Sequence, residues 1–180
     1  MDEPERKGNP LLARFTRTSP APFLTKTYPK YRSHVRADFE QCCAYCHRHE
    51  DWAGDEEVFE IDHFRPQDKF PHLISIYENL CWSCRACNGR KSKSHHWPTY
   101  GQLVEGSGFV DLCADDWEQH YELLPNGNLK GLTKQANYTI KMIRLNRETL
   151  VRLRRFSLAY NVSLDQEREI SFPLPPLVNT

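Results

Sequence analysis

A carboxylate and an imidazole lie next to each other in the segment EIDHFRP, residues 60–66, as Asp62 and His63. A neutral imidazole is well suited to accept a proton near pH 7, and a carboxylate oxygen is a good ligand for a hard divalent cation. The pair therefore suits the edge of a reaction site, although an ordinary surface turn could have the same composition. The cysteines on either side favour the first interpretation.

Two CxxC pairs flank this segment: Cys43 with Cys46, and Cys84 with Cys87. Each pair places two thiolates within reach of one ion, and four thiolates complete the tetrahedral ligand set of a structural zinc site. Because such a site has no open coordination position, we expect it to hold two distant segments together rather than to catalyse a reaction.

The sequence leaves the choice of zinc ligands open. Cys42 directly precedes Cys43, and Cys81 forms an alternative CxxC pair with Cys84. We prefer Cys87 as the partner of Cys84 because that pair leads directly into a predicted helix. The alternative is that these cysteines are buried free thiols.

The composition limits the class of protein. The 180 residues suffice for one domain, and a mean hydropathy of −0.71 suggests that part of the chain lacks a core of its own. We expect a cytoplasmic protein without a membrane partner, because no apolar run could cross a bilayer and no secretory signal is apparent. In that compartment, seven cysteines favour metal binding over disulfides. The equal numbers of basic and acidic residues, 24 each, argue mildly against nucleic-acid binding without excluding it.

Hydrophobic periodicity predicts the elements that position these residues. The predicted elements are a short helix at 31–41, a strand at 58–64, a helix after the last CxxC cysteine, a strand in FVDL (109–112), a hairpin around Asn126-Gly127, and a basic amphipathic helix at 145–161 capped by Asn146. Neighbouring residues on a strand point to opposite faces, so a site that uses both Asp62 and His63 must lie at a bend or strand end.

Four motifs occur in order along residues 40–97: CAYC, EIDHFRP, YENL and CRACNGRK. This arrangement resembles the HNH endonucleases in which a four-cysteine zinc ties the hairpin and helix of a ββα-metal fold. The resemblance implies an α+β fold, with a small zinc-stapled ββα core, surrounding helices and a short hairpin. We expect this domain at 31–165, between an extended arm at 1–30 and a proline-rich tail at 166–180.

The resemblance also implies roles for four residues. His63 corresponds to the general base that activates water, and Asp62 and Asn88 correspond to the ligands of a catalytic magnesium or manganese ion. Asn88 replaces the histidine found at this position in other members of the family. Asn79 corresponds to the asparagine that orients the loop carrying the base. Asp62 and Asn88 should therefore converge on one ion.

The basic residues and the flanking motifs bear on the substrate and the partner proteins. Basic residues cluster in sequence around the site and are predicted to contact phosphates: Arg65, Arg85, Arg90 and Lys91. We expect a DNA substrate, with RNA cleavage or a non-catalytic binding module as alternatives. YENL, the WP at 97–98 and FVDLCADDW at 109–117 together resemble motifs in nucleases of bacterial anti-phage systems, the Septu and retron-associated types. This resemblance implies an ATPase as a partner protein.

Overall fold

The computed structural model describes residues 15–92, 96–111 and 113–164. The predicted tail at 166–180 and the first part of the predicted arm, 1–14, lie outside these residues. The helices and strands follow in the order α1 (Arg32–Asp38), β1 (Phe59–His63), β2 (Leu80–Cys84), α2 (Arg85–Lys91), α3 (Tyr100–Val104), α4 (Trp117–His120), β3 (Tyr121–Leu123), β4 (Leu129–Gly131), α5 (Lys134–Ile143) and α6 (Glu148–Tyr160). The predicted α+β class, with a ββα unit, is confirmed.

The ββα unit consists of β1, β2 and α2. The two strands pair antiparallel, with Phe59 opposite Cys84 and His63 opposite Leu80. Every residue of β2 is buried, whereas Glu60 and Ile61 of β1 are partly exposed. Because α2 begins immediately after β2, its position relative to the hairpin is fixed by a connection of minimal length.

A buried carboxylate ties α1 to the hairpin. Glu50 is 3% exposed, and both of its oxygens accept hydrogen bonds. The guanidinium of Arg36 in α1 lies 2.7 Å from Oε2, and the indole Nε1 of Trp82 in β2 donates to Oε1 at 2.7 Å. The charge of Glu50 is therefore paired and hydrogen-bonded, as burial requires.

The β3–β4 hairpin turns at Asn126-Gly127, as the sequence predicts. Gly127 has φ +80°, and a Cβ there would lie 2.6 Å from the carbonyl oxygen of Val151 in α6. Both the backbone conformation and the close approach of α6 therefore require glycine.

Two predictions for the remaining elements are wrong. Asn146 does not cap α6; its side chain accepts from the backbone N–H of Leu129 and donates to the carbonyl of that residue, both at 2.8 Å. Residues 109–111 of the predicted FVDL strand form no strand. The N–H of Val110 instead donates to the hydroxyl of Thr139 in α5 at 3.0 Å. Over the described parts of the chain, no helix has the length and apolar character needed to span a membrane.

Candidate active site and cysteine cluster

Four cysteines meet at the end of the β1–β2 hairpin. The Sγ atoms of Cys43, Cys46, Cys84 and Cys87 all lie within 4.8 Å of one another, and all four residues are buried. Tetrahedral zinc–thiolate geometry separates sulfur atoms by about 3.8 Å, so this set fits zinc with little adjustment. Hydrogen bonding with Cys43 lowers the pKa values of Cys46 and Cys84, whereas burial raises the pKa of Cys43.

The two alternative cysteines lie outside this cluster. The thiol of Cys42 donates to the carbonyl oxygen of Glu40. Cys81 lies beside Tyr45, with its sulfur 3.5 Å from the phenolic oxygen, and burial raises its pKa to about 12. Of the two CxxC choices, the structure therefore brings together the one that we preferred.

A positive charge from the C-terminal part of the chain faces the cluster. The guanidinium Nη2 of Arg147 lies 3.4 Å from the Sγ atom of Cys87. Four thiolates around a divalent zinc ion would carry a net charge of about −2, which this guanidinium would partly offset. Arg147 lies in the segment predicted as a basic amphipathic helix, and this contact directs its side chain to the cluster instead.

A cavity of about 420 Å³ opens over β1 and α2. Its lining includes polar side chains of β1, of the loop that follows it, and of α2 with its C-cap residue: Glu60, Asp62, His63, Gln67, Asp68, Asn88, Lys91 and Ser92. Three of the four residues with predicted catalytic roles thus line one cavity, and the fourth, Asn79, lies behind it.

His63 is the last residue of β1 and is 7% exposed. Its Nε2 atom lies 2.9 Å from the carbonyl oxygen of Ile74. Because a carbonyl oxygen only accepts hydrogen bonds, Nε2 must carry the proton, which leaves Nδ1 as the acceptor of the ring. The ring of Tyr28 packs edge-on at 4.7 Å between centroids and further restricts the imidazole.

Asn79 anchors the loop that follows His63. Its Oδ1 accepts from the backbone N–H of Arg65 at 2.9 Å, and its Nδ2 donates to the carbonyl oxygen of the same residue at 3.1 Å. The carbonyl of Asn79 also accepts from the N–H of Phe64 at 2.8 Å. These contacts suit the loop-orienting role that the resemblance implies.

Asp62 is enclosed by two donors. Its Oδ1 lies 2.9 Å from the ammonium of Lys91, and its Oδ2 accepts from the hydroxyl of Tyr45 at 2.5 Å. The same ammonium donates to the carbonyl oxygen of His63 at 2.6 Å. Lys91 is therefore an internal residue, 2% exposed, rather than part of the predicted phosphate-contacting surface. The sequence could have indicated that Lys91 is internal, because Lys91 lies four residues after Cys87 and therefore on the same inward face of α2.

Asn88 faces a different carboxylate from the one expected. Its Nδ2 donates to Oε1 of Glu60 at 2.8 Å, and its Oδ1 accepts from the hydroxyl of Ser92 at 2.7 Å. Glu60 was not singled out from the sequence. Its position two residues before Asp62 on a strand, and hence on the same face, could have indicated it.

The other predicted phosphate-contacting residues lie at the surface. Arg65 and Arg85 are exposed, and Nε of Arg85 lies 3.9 Å from Oε2 of Glu60. Arg90 is partly exposed and donates to the carbonyl oxygen of Ala86 within its own helix.

Comparison with known proteins agrees with this geometry. Residues 43–94 match a family model described as HNH endonuclease. The chain is also 29% identical over 104 residues to a Septu protein PtuB from Bacillus thuringiensis. That match covers 58% of this chain and 36% of the relative, so this chain spans about a third of the relative's length. Residues 43–94, which contain the cysteine cluster, the β1–β2 hairpin and α2, are therefore similar to the HNH endonuclease family, in a chain that is also similar to a Septu protein.

Proposed function

We propose that this chain is a metal-dependent endonuclease that hydrolyses DNA phosphodiester bonds, and that it acts in anti-phage defence. The observation that supports this most is the placement of His63. Its imidazole is held by Ile74 in the tautomer of a base, at the wall of a cavity that also presents carboxylate and amide oxygens.

His63 is the proposed general base. With Nε2 donating to a carbonyl oxygen, Nδ1 accepts the proton of a water molecule as that water attacks phosphorus. Asn79 holds the loop after His63 through both polar atoms of its amide, so the imidazole is held in position before substrate binds. General-base catalysis of this kind typically contributes about 10²- to 10⁴-fold in rate.

The cavity also suits a divalent cation. Glu60, Asp62 and Asn88 line it, and the oxygen atoms of such side chains are hard donors that fit magnesium or manganese better than a soft metal. A cation bound there would supply Lewis-acid stabilisation of the phosphate charge and the leaving oxygen. Zinc, by contrast, suits the four cysteines, where it would staple the segments on either side of the active-site strand.

The substrate and setting are proposed on more general grounds. The exposed Arg65 and Arg85 provide positive charge close to the site residues for a phosphate backbone. The similarity to a Septu protein supports a defence role, and with it the cytoplasmic location and the ATPase partner expected from the sequence.

Parallel cleavage assays test this proposal. Zinc-loaded protein is incubated with supercoiled plasmid, single-stranded DNA or RNA, with and without magnesium. We expect magnesium-dependent nicking of the plasmid and much slower loss of RNA. Cleavage of RNA alone would overturn the DNA assignment. Plasmid binding without cleavage of any substrate would favour the non-catalytic binding module instead.

A further inference from the structure

The N-terminal segment, residues 15–31, is bonded to the domain that carries the active site. The Nε atom of Arg17 donates to the carbonyl oxygen of Leu80 in β2 at 2.9 Å. The backbone N–H and the hydroxyl of Thr18 both donate to the carboxylate of Asp38 at the end of α1, each at 2.7 Å. These contacts hold the first part of the segment against the β1–β2 hairpin and α1.

One loop holds both the N-terminal segment and the proposed general base. The hydroxyl of Ser75 donates to the backbone carbonyl oxygen of Lys26 at 2.8 Å. The preceding residue, Ile74, accepts the hydrogen bond from Nε2 of His63 at 2.9 Å. Because two neighbouring residues make these contacts, the position of the N-terminal segment is fixed relative to the imidazole.

Two tyrosines of this segment, at the ends of one 3₁₀ turn (Tyr28–Tyr31), have different environments. Tyr31 is 1% exposed, packs on the ring of Tyr77 and donates its hydroxyl to the carbonyl oxygen of Phe23 at 2.5 Å. Tyr28 is only partly buried, packs on the imidazole of His63 and lines the cavity. Tyr31 therefore anchors the turn, whereas Tyr28 presents part of its side chain to the cavity.

The N-terminal segment is basic as well as aromatic. It contains three basic and no acidic residues, in a chain whose basic and acidic residues are equal in number. Two of the three, Lys26 and Lys30, are exposed and lie two residues before and two residues after Tyr28. Cations on either side of an aromatic ring suit a nucleic-acid strand, because the cations contact phosphates while the ring packs on a nucleotide.

We propose that residues 26–30 bind the DNA strand at the cavity. Tyr28 packs on a nucleotide next to the scissile phosphate, and Lys26 and Lys30 contact phosphates of the same strand. The inference deepens the nuclease function proposed above and rests on it for the substrate. It gives Tyr28 a binding role in addition to its contact with His63, and it adds substrate contacts from outside residues 43–94, the part similar to HNH endonucleases.

Duplex DNA binding by the zinc-loaded full chain, without magnesium, tests this role. Fluorescence anisotropy gives Kd at several salt concentrations for the wild type, Tyr28→Leu, Tyr28→Phe and the double variant Lys26→Ala/Lys30→Ala. We expect Tyr28→Leu to weaken binding by at least about fivefold with an unchanged salt slope, and Tyr28→Phe to stay within about twofold of the wild type, because phenylalanine keeps the ring. The lysine variant should reduce the slope of log Kd against log salt concentration by about two.

Substitutions outside the N-terminal segment are the matched controls. Tyr160→Leu changes a tyrosine that is 69% exposed at the end of α6. The double variant Lys130→Ala/Lys141→Ala removes two other exposed lysines. Both controls should bind DNA like the wild type. Thermal unfolding verifies that each variant is folded, and the lysine variant tests the inference even if Tyr28→Leu is unstable, because Lys26 and Lys30 are exposed.

The possible failures can be told apart. Wild-type affinity in a folded Tyr28→Leu variant, or an unchanged salt slope in the lysine variant, would overturn this inference alone, since the wild type would still bind DNA. No DNA binding by the wild type would overturn the proposed function and this inference with it.

Discussion

The Nε2 atom of His63 lies 2.9 Å from the carbonyl oxygen of Ile74, and this contact decides which ring nitrogen can act as a base. Asn79 acts one step further away, because it fixes the backbone of Arg65 rather than the imidazole itself. Lys91 is a third kind of residue: its ammonium joins the carboxylate of Asp62 to the backbone carbonyl of His63 from inside the protein.

Replacing Asn79 with alanine should loosen the loop that follows His63. The variant loses two hydrogen bonds to Arg65, so we expect the free energy of unfolding to fall by about 1 to 3 kcal/mol and single-turnover cleavage to slow by at least about tenfold. Urea denaturation and plasmid nicking measure the two effects. Glu78→Ala, at an exposed neighbouring position, is the control and should change neither. Wild-type cleavage rate and stability in the Asn79→Ala variant would contradict the loop-orienting role of Asn79.

Replacing Lys91 with methionine distinguishes an internal ion pair from a phosphate contact. The variant leaves the carboxylate of Asp62 buried without its cation, and we expect a loss of about 3 to 5 kcal/mol in the free energy of unfolding without any nucleic acid present. Arg85→Met, at an exposed position of the same helix, should change stability by less than about 0.5 kcal/mol. Equal stabilities for both variants would contradict the buried position of Lys91.

The elements that carry local patterns are those that the sequence predicts well. Alternating residues predict a strand at 58–64, and β1 occupies Phe59–His63. The glycine turn predicts the β3–β4 hairpin, and the CxxC spacing predicts which sulfur atoms meet. The strand and the hairpin are predicted by residues within the element itself. The cysteine cluster is predicted by the ligand number and spacing that a tetrahedral metal site requires.

Features that depend on partners distant in sequence were missed. Asn146 has the right type and position for a helix cap, but it bonds to Leu129 in the neighbouring hairpin. Arg154 was expected on a basic face of the last helix. It is buried instead, donates to the carbonyl oxygens of Gly127 and Leu145, and has a pKa lowered to about 10 by burial. Periodicity alone does not identify such partners.

The cysteine cluster should control whether the ββα unit folds. Cys84→Ser removes one ligand, so we expect zinc content to fall well below one per chain and near-ultraviolet circular dichroism to lose its aromatic signal. Cys42→Ala and Cys81→Ala are the matched controls, because both alter buried cysteines outside the cluster. They should retain about one zinc per chain by elemental analysis. Loss of zinc from either control, with retention in Cys84→Ser, would show that the ligand set is different.

In the whole molecule, the site is assembled from segments that are far apart in sequence. The loop at Cys43–Cys46 and the end of β2 meet in the cluster, and Arg147 packs on it from the segment before α6. With 24 basic and 24 acidic residues, the net charge provides no general attraction to nucleic acid. The proposed binding of DNA must therefore depend on a few exposed cations near the cavity.

Those cations predict a specific salt dependence. In a His63→Ala background that prevents cleavage, we expect Arg65→Ala and Arg85→Ala each to reduce the slope of log Kd against log salt concentration by about one. Arg152→Ala, which removes an exposed arginine paired with Glu148 on α6, should leave the slope unchanged. Fluorescence anisotropy with a duplex oligonucleotide measures these slopes. Unchanged slopes for both site variants would place the DNA on another surface.

Plasmid nicking by the His63→Ala variant tests the proposed catalytic role most directly. Zinc-loaded wild type, His63→Ala and His72→Ala are compared at equal magnesium concentration, with the exposed His72 serving as the matched histidine outside the cavity. We expect His63→Ala to nick at least about 100-fold more slowly than the wild type, and His72→Ala to match the wild type. Equal nicking rates for the wild type and His63→Ala would contradict the assignment of His63 as the base.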